Sequence, residues 1–194
     1  MKNLTGMAFM CLAALFIFFT GCAKPPAAEM EAAVAAVTRA ENDADAVTYA
    51  GGALVRARDA LSRMRTEADA KRYDAAKSYA AEAVAAAEKA LADGKTGAAL
   101  AKEEAAALVT ELRNLIPETE QNLRRAESAG SLDLDLDSLS RDFESARRDA
   151  AGAELSLAEE NYPEALQKGR SVRGALGDIN ARLSAAATTV SRKK

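Results

Sequence analysis

The sequence ALVRARDALSRMRTEADA, residues 53–70, repeats its apolar side chains at the period of an α-helix. The apolar positions follow steps of three and four residues: Leu54, Ala57, Leu61, Met64 and Ala68. These steps place the side chains on one face of a helix with about 3.6 residues per turn. Arg56 and Arg63 fall on the opposite face. The stretch therefore predicts an amphipathic helix that packs its apolar stripe against another helix.

Helical character extends along most of the chain. The periodicity predicts helices over residues 27–47, 53–70, 74–93, 98–116 and 117–129. Gly94 is expected to cap the third of these helices, and Pro117 is expected to end the fourth and begin the fifth. Hydrophobic residues make up 49% of the chain but aromatic residues only 5%, and alanine, the best helix former, supplies much of the apolar content. The predicted fold class is all-α.

The second half of the chain resembles the first at a spacing of 89 residues. Arg72-Tyr73-Asp74-Ala75-Ala76 corresponds to Asn161-Tyr162-Pro163-Glu164-Ala165. Further pairs at this spacing are Leu54 with Phe143, Ala57 with Ala146, Arg58 with Arg147, Val34 with Leu123, Val37 with Ala126, and Ala40 with Ala129. Two related antiparallel helical hairpins would stack on each other as a bundle or a short tetratricopeptide-like array. Two unrelated hairpins are the alternative.

The N-terminal end reads as a targeting segment. Phe19-Thr20-Gly21-Cys22 closes an apolar run over residues 7–19, which suits a signal-peptide core and is shorter than the roughly 20 residues of a membrane span. A small residue before a cysteine resembles the lipobox of bacterial lipoproteins, where that cysteine is acylated. The resemblance implies a signal over residues 1–21 that is removed and a lipid on Cys22. An ordinary secretory signal or an uncleaved anchor is the alternative.

The residues around Cys22 extend this expectation. Residues 22–26 would form a short proline-containing tether. With Ala23 and not aspartate after the cysteine, the resemblance to bacterial lipoproteins implies sorting to the outer membrane, with the body facing the periplasm. Cys11 would be lost with the signal, so no disulfide is expected in the mature chain. We expect one hairpin unit over residues 27–116, a second over 117–190, and a basic tail at 191–194.

A family resemblance supports this location. Residues 33–91 resemble a helical domain of unknown function that recurs in bacterial envelope lipoproteins, often beside an OmpA-like domain. The resemblance is carried by Tyr49, Ala50, Leu54, Ala57, Leu61, Tyr73, Ala76, Ala80 and Ala83. It implies no catalytic or ligand residue. Up to Lys194 the sequence shows no OmpA-like module, so peptidoglycan binding by that route is not expected.

Composition argues against several function classes. The formal net charge of −3 gives no general attraction to nucleic acid. The chain has no histidine, which removes the commonest general base and metal ligand. Acids such as Glu120 and Glu144 stand one helical turn from arginines, as surface pairs do. No enzymatic activity and no cofactor are predicted, and a large ligand cavity is not expected from so few bulky residues.

Three local patterns suggest binding sites. Asp133, Asp135, Asp137 and Glu144 occupy the first, third, fifth and twelfth positions of a calcium loop, but Ser138 stands where that loop needs glycine. A connector in which Asp137 caps the next helix is the favoured interpretation. Gly94-Lys95-Thr96 resembles the end of a phosphate-binding loop without its first glycine, and is interpreted as a cap and turn.

The third pattern is a basic cluster that could meet anionic headgroups or acidic glycans. Its members are Arg56, Arg58, Arg63, Arg65, Lys71 and Arg72. Because acids such as Glu67 are interspersed, an ordinary solvated helix face is favoured.

The sequence therefore predicts a non-enzymatic, lipid-anchored scaffold or adaptor that contacts envelope proteins. The alternative is a binding module for a small ligand or a wall polymer on the concave face of helical repeats. A pocket lined by Tyr73, Tyr79 or Tyr162 would favour the alternative, and a solid alanine-packed interior would count against it.

Overall fold

A computed structural model describes residues 24–129 and 134–192, with side chains as far as residue 188. All the regular secondary structure in these ranges is helical, which confirms the all-α prediction. The helices are α1 (Ala27–Glu41), α2 (Ala44–Tyr49), α3 (Gly51–Asp69), α4 (Tyr73–Ala129), α5 (Leu136–Ala158) and α6 (Tyr162–Arg192). No helix of the described ranges is both long and apolar enough to cross a membrane.

The first predicted helix is divided in two. α1 begins directly after Pro26, as expected, but ends at Glu41. Asp43 then caps α2 by accepting a hydrogen bond from the Ala46 backbone N–H at 2.8 Å. An aspartate that satisfies an open N–H of a helix start stabilises a new helix there. Gly51 and Gly52, which lie between the first two predicted helices, form the first turn of α3.

The three predicted segments between residues 74 and 129 are a single helix, α4. The prediction that Gly94 caps a helix is wrong, because the helix continues through it. A Cβ built on Gly94 would lie 2.6 Å from the backbone nitrogen of Ala46, so the glycine permits a close approach between α4 and α2. Pro117 also lies inside α4, where the helix does without one backbone N–H donor.

The described chain divides into two compact units, unit 1 up to Gly94 and unit 2 from Lys95. The expected boundary between residues 116 and 117 therefore differs from this division. Pro117 is a strong local signal for a helix boundary. The division into two units follows the packing contacts between helices, and a single proline does not determine those contacts.

Unit 1 packs α1, α2 and α3 with the first part of α4. Glu29 pairs with Lys77 at 2.8 Å, and Ala46 meets Gly94, so α1 and α2 follow α4 in the same direction. Glu41 pairs with Arg58 at 2.6 Å. The buried cluster consists mainly of alanines, with Val37, Leu54 and Met64 as its larger members. Small side chains let helix axes approach closely.

Unit 2 packs the later part of α4 with α5 and α6. Lys168 lies against Gly152, while residues 142 and 182 line one groove, so α5 and α6 run in opposite directions. The buried cluster here is richer in large aliphatic and aromatic residues: Leu112, Leu123, Leu139, Phe143, Val172, Leu176, Ile179 and Leu183, with Ala126, Ala146 and Ala150. The two units therefore have cores of different composition.

The turns that follow α3 and α5 have the same geometry at the 89-residue spacing. Lys71 and Glu160 both adopt left-handed backbone conformations, with φ of 58° and 59°. The Arg72 N–H donates to the Glu67 carbonyl and the Asn161 N–H to the Ser156 carbonyl, both at 2.9 Å. Each turn is therefore a Schellman motif, in which the residue after the helix turns left-handed.

Burial follows the same spacing in some helices and not in others. Ala76, Ala80, Ala83, Ala87 and Ala90 are buried, and so are Ala165, Gly169, Val172, Leu176 and Ile179. Two of the three pairs predicted for the first helix differ, since Val34 is 38% exposed whereas Leu123 is buried, and Ala40 is buried whereas Ala129 is exposed. The third pair, Val37 and Ala126, is buried in both halves. Common ancestry of the two halves stays a prediction.

Candidate functional site

The predicted lipidation residue, Cys22, and the predicted signal over residues 1–21 lie outside the described residues. The structure does describe the chain that follows. The Ala27 N–H donates to the Pro25 carbonyl at 2.8 Å, and the Met30 N–H donates to the Pro26 carbonyl at 3.0 Å. The first described helix thus begins five residues after Cys22 in the sequence.

The calcium candidates do not converge in the described residues. Asp133 lies outside them, and Asp135 caps α5 by accepting a hydrogen bond from the Ser138 N–H at 2.9 Å. The prediction that Asp137 is the cap is wrong, because Asp137 already belongs to the first turn of α5. Glu144 pairs with Arg147 at 2.9 Å. No group of three acidic, cysteine or histidine residues in the described ranges is placed to hold a metal ion.

The other two local patterns are also resolved by the structure. Gly94-Lys95-Thr96 lies inside α4, so the interpretation as a cap and turn is wrong as well. Within the basic cluster, Arg58 pairs with Glu41, and Arg72 pairs with Glu67, its second hydrogen bond measuring 3.0 Å. Two of the six members of the cluster are therefore paired with acids.

Two exposed ion pairs shift the acid–base properties of unit 1. The hydrogen bond from the Lys77 ammonium lowers the pKa of the Glu29 carboxyl, and the same bond raises the pKa of Lys77. The hydrogen bond from Arg72 likewise lowers the pKa of Glu67. Each shift favours the charged forms, as in structural ion pairs, and none produces the neutral lysine or protonated glutamate that acid–base catalysis would need.

Of the tyrosines named for a ligand site, Tyr79 packs against the buried cluster of unit 1. The guanidinium of Arg63 lies 5.9 Å from the centre of the Tyr79 ring, a cation–π distance. Tyr73 and Tyr162 begin α4 and α6 and are half-buried. The basic residue of this contact was correctly expected on the outer face of α3, but its aromatic partner could not be found by spacing within one helix.

A groove between α5 and α6 is the most chemically distinct depression described in unit 2. Its volume is about 280 Å³, and Asp142, Asp149, Asp178 and Arg182 lie along its edges. None of these four forms an ion pair with another described residue. The groove offers little apolar surface at Val172 and Ile179, because these two lining residues are each only 2% exposed.

Two buried polar arrangements in unit 2 are not evident from the sequence. The Asn180 amide donates to the hydroxyl of the fully buried Thr119 at 2.7 Å and accepts from the Asn122 amide at 2.9 Å. Lys168 donates to the hydroxyl of the buried Ser156 at 3.2 Å and pairs with Glu164 at 2.7 Å. The Ser156 hydroxyl itself donates to the Gly152 carbonyl at 3.0 Å, and the serine–lysine contact cross-links α5 and α6.

The geometry thus defines an all-helical chain whose described part forms two units, each with its own buried core, and carries paired charges on its surface. No family model matches the chain, and no curated protein or solved structure matches it significantly.

Proposed function

We propose that this protein is a non-enzymatic, lipid-anchored scaffold or adaptor of the bacterial cell envelope. A lipid on Cys22 attaches it to the outer membrane, and the helical body makes protein–protein contacts in the periplasm. The observation that carries the proposal is the tight interior of unit 1, where Gly94 leaves no room for one methyl group against Ala46. We therefore assign the binding of partner proteins to the exposed outer faces of the helices.

The sequence supports the anchoring part of the proposal. Gly21 and Cys22 follow an apolar run of signal-peptide length, and the described helices begin only at Ala27. The resemblance of residues 33–91 to a helical domain of envelope lipoproteins points to the same compartment. The helical hairpins would present their exposed faces to partners in that compartment.

A ligand-binding module remains the second candidate, and the acidic groove of unit 2 is what favours it. Three aspartates along one depression would suit a cationic ligand. The buried Val172 and Ile179 offer such a ligand little apolar contact, which is why we favour the scaffold.

Anchoring is tested by metabolic labelling with radioactive palmitate in a bacterial host. We expect label in the native protein and none in Cys22→Ala, with Cys11→Ala as the matched control that keeps its label. Equal labelling of the native protein and Cys22→Ala would contradict the lipid anchor.

The adaptor role is tested by crosslinking in intact cells. A photoreactive residue would replace exposed Val55 on α3 or Leu155 on α5, and buried Leu176 would serve as the control position. We expect the exposed positions to give discrete protein adducts that recur in replicate captures. Recovery of lipid adducts alone from both exposed positions would contradict the adaptor role.

A further inference from the structure

We propose that the end of unit 1 formed by the start of α1 and the α3–α4 turn lies against the phospholipid headgroups, with the opposite end of α3 directed away from the membrane. This inference rests on the proposed lipid anchor at Cys22. It identifies the part of unit 1 that is apposed to the lipid surface and the part that stays open to protein partners.

Only a short length of chain joins the proposed lipid to the folded body. Backbone hydrogen bonds to the carbonyls of Pro25 and Pro26 fix the chain at the start of α1. Only residues 22–24 precede them in the mature protein. A chain spans at most about 3.3–3.6 Å per residue, so Pro25 lies within about 11 Å of the acylated cysteine and Ala27, the first residue of α1, within about 18 Å.

The start of α1 lies beside the start of α4. Glu29 in the first turn of α1 pairs with Lys77 in the second turn of α4 at 2.8 Å. α4 begins at Tyr73, directly after the turn that ends α3 at Asp69. The α3–α4 turn therefore lies beside the start of α1, and the short length of the tether keeps both near the headgroups.

The direction of α3 places its two ends at different distances from the start of α1. Glu41, the last residue of α1, pairs with Arg58 at 2.6 Å, so α3 runs back along α1 from its far end. Gly52 and Asp69 stand at opposite ends of α3, about 26 Å apart at 1.5 Å per residue. Both positions are exposed.

The charges at the tethered end are of mixed sign, so they give no reason to expect electrostatic binding to the membrane surface. Lys24, Lys71 and Arg72 are accompanied by Asp69 and Asp74, and Arg72 already pairs with Glu67. The apposition is therefore a consequence of the covalent tether. It should vanish when the lipid is removed and should depend little on salt.

The test is headgroup quenching on vesicles of phosphatidylethanolamine and phosphatidylglycerol that carry a spin-labelled headgroup. The acylated mature protein has no free thiol, so single cysteines can carry a fluorophore. Asp69→Cys and Glu31→Cys report the tethered end, and Gly52→Cys and Val47→Cys report the far end. Given the separation along α3, we expect at least about twofold stronger quenching at the tethered end.

The outcomes separate this inference from the proposed function. Acylation of Cys22 is checked by mass spectrometry, and its absence overturns both. Acylated protein with equal quenching at the two ends, or stronger quenching at the far end, overturns the orientation alone. Quenching that persists when Cys22→Ser removes the lipid assigns the contact to surface adhesion and also overturns the tether argument.

Discussion

At the scale of single residues, Gly94 shows how one missing side chain sets a helix contact. Gly94→Ala would place a Cβ within 2.6 Å of the Ala46 nitrogen and 2.7 Å of its Cα, and backbone atoms cannot swing aside as a flexible side chain can. Overpacking of this kind costs about 1–3 kcal/mol. We expect a corresponding loss in the free energy of unfolding of unit 1, measured by urea denaturation.

The matched control is Gly177→Ala in α6, where a new Cβ meets no atom within 4 Å. Alanine is favoured over glycine inside a helix by about 1 kcal/mol, so this variant should be slightly more stable than the native protein. If both substitutions stabilise the protein alike, Gly94 has no packing role.

The Glu29–Lys77 pair predicts a pH effect of known sign. The folded-state pKa of Glu29 lies below its ordinary value because Lys77 donates a hydrogen bond to it. Its contribution to stability is therefore present above the unfolded-state pKa of about 4.3 and is lost as the pH falls through the lower folded-state value. Thermal unfolding between pH 7 and pH 3 should depend less on pH in Glu29→Gln. An unchanged pH profile would contradict a contribution from this pair.

At the scale of helices and turns, the two Schellman motifs predict a stabilising substitution. Lys71 and Glu160 hold φ near 60°, where a side chain costs roughly 1–2 kcal/mol relative to glycine. We expect Lys71→Gly and Glu160→Gly each to raise the free energy of unfolding by about 1 kcal/mol. Lys71→Ala is the control that removes the charge and keeps the Cβ. A gain in Lys71→Ala as large as in Lys71→Gly would show that charge and not backbone strain is responsible.

The Asn180 network predicts a non-additive pair of substitutions in α4 and α6. Asn180→Leu leaves the buried hydroxyl of Thr119 without its donor, which costs about 1–3 kcal/mol. Adding Thr119→Val removes the unsatisfied group, so the double variant should regain stability in denaturant unfolding. If the two losses simply add, the hydrogen bond does not couple the two helices.

Local sequence signals were sufficient for the all-α class and for the buried face of α3, and insufficient for the ends of several helices and for the role of particular residues. The apolar steps of Leu54, Ala57 and Met64 correctly identified the buried face of α3. Gly94 was misassigned because a glycine at a helix end and a glycine at a close helix contact look alike until the partner backbone is known. The same limit applies to the cap at Asp135, since both it and Asp137 precede an apolar helical run and only the three-dimensional turn selects one.

At the scale of the whole molecule, the two buried clusters share no residue in the described part of the chain. Met64 is 1% exposed in unit 1 and Leu176 is fully buried in unit 2. Truncation of either to alanine removes a large buried side chain and costs about 2–5 kcal/mol. Because each cluster is packed within its own unit, the loss should be confined to the unit that carries the substitution.

Hydrogen–deuterium exchange with mass spectrometry can resolve the two units in the full chain. We expect Met64→Ala to lower protection in residues 24–94 and Leu176→Ala to lower protection in unit 2, each leaving the other unit close to native. Exposed Leu155→Ala is the control that should change neither. Equal loss of protection in both units from either core substitution would mean that the chain unfolds as one cooperative body, with helix α4 transmitting the loss along its length.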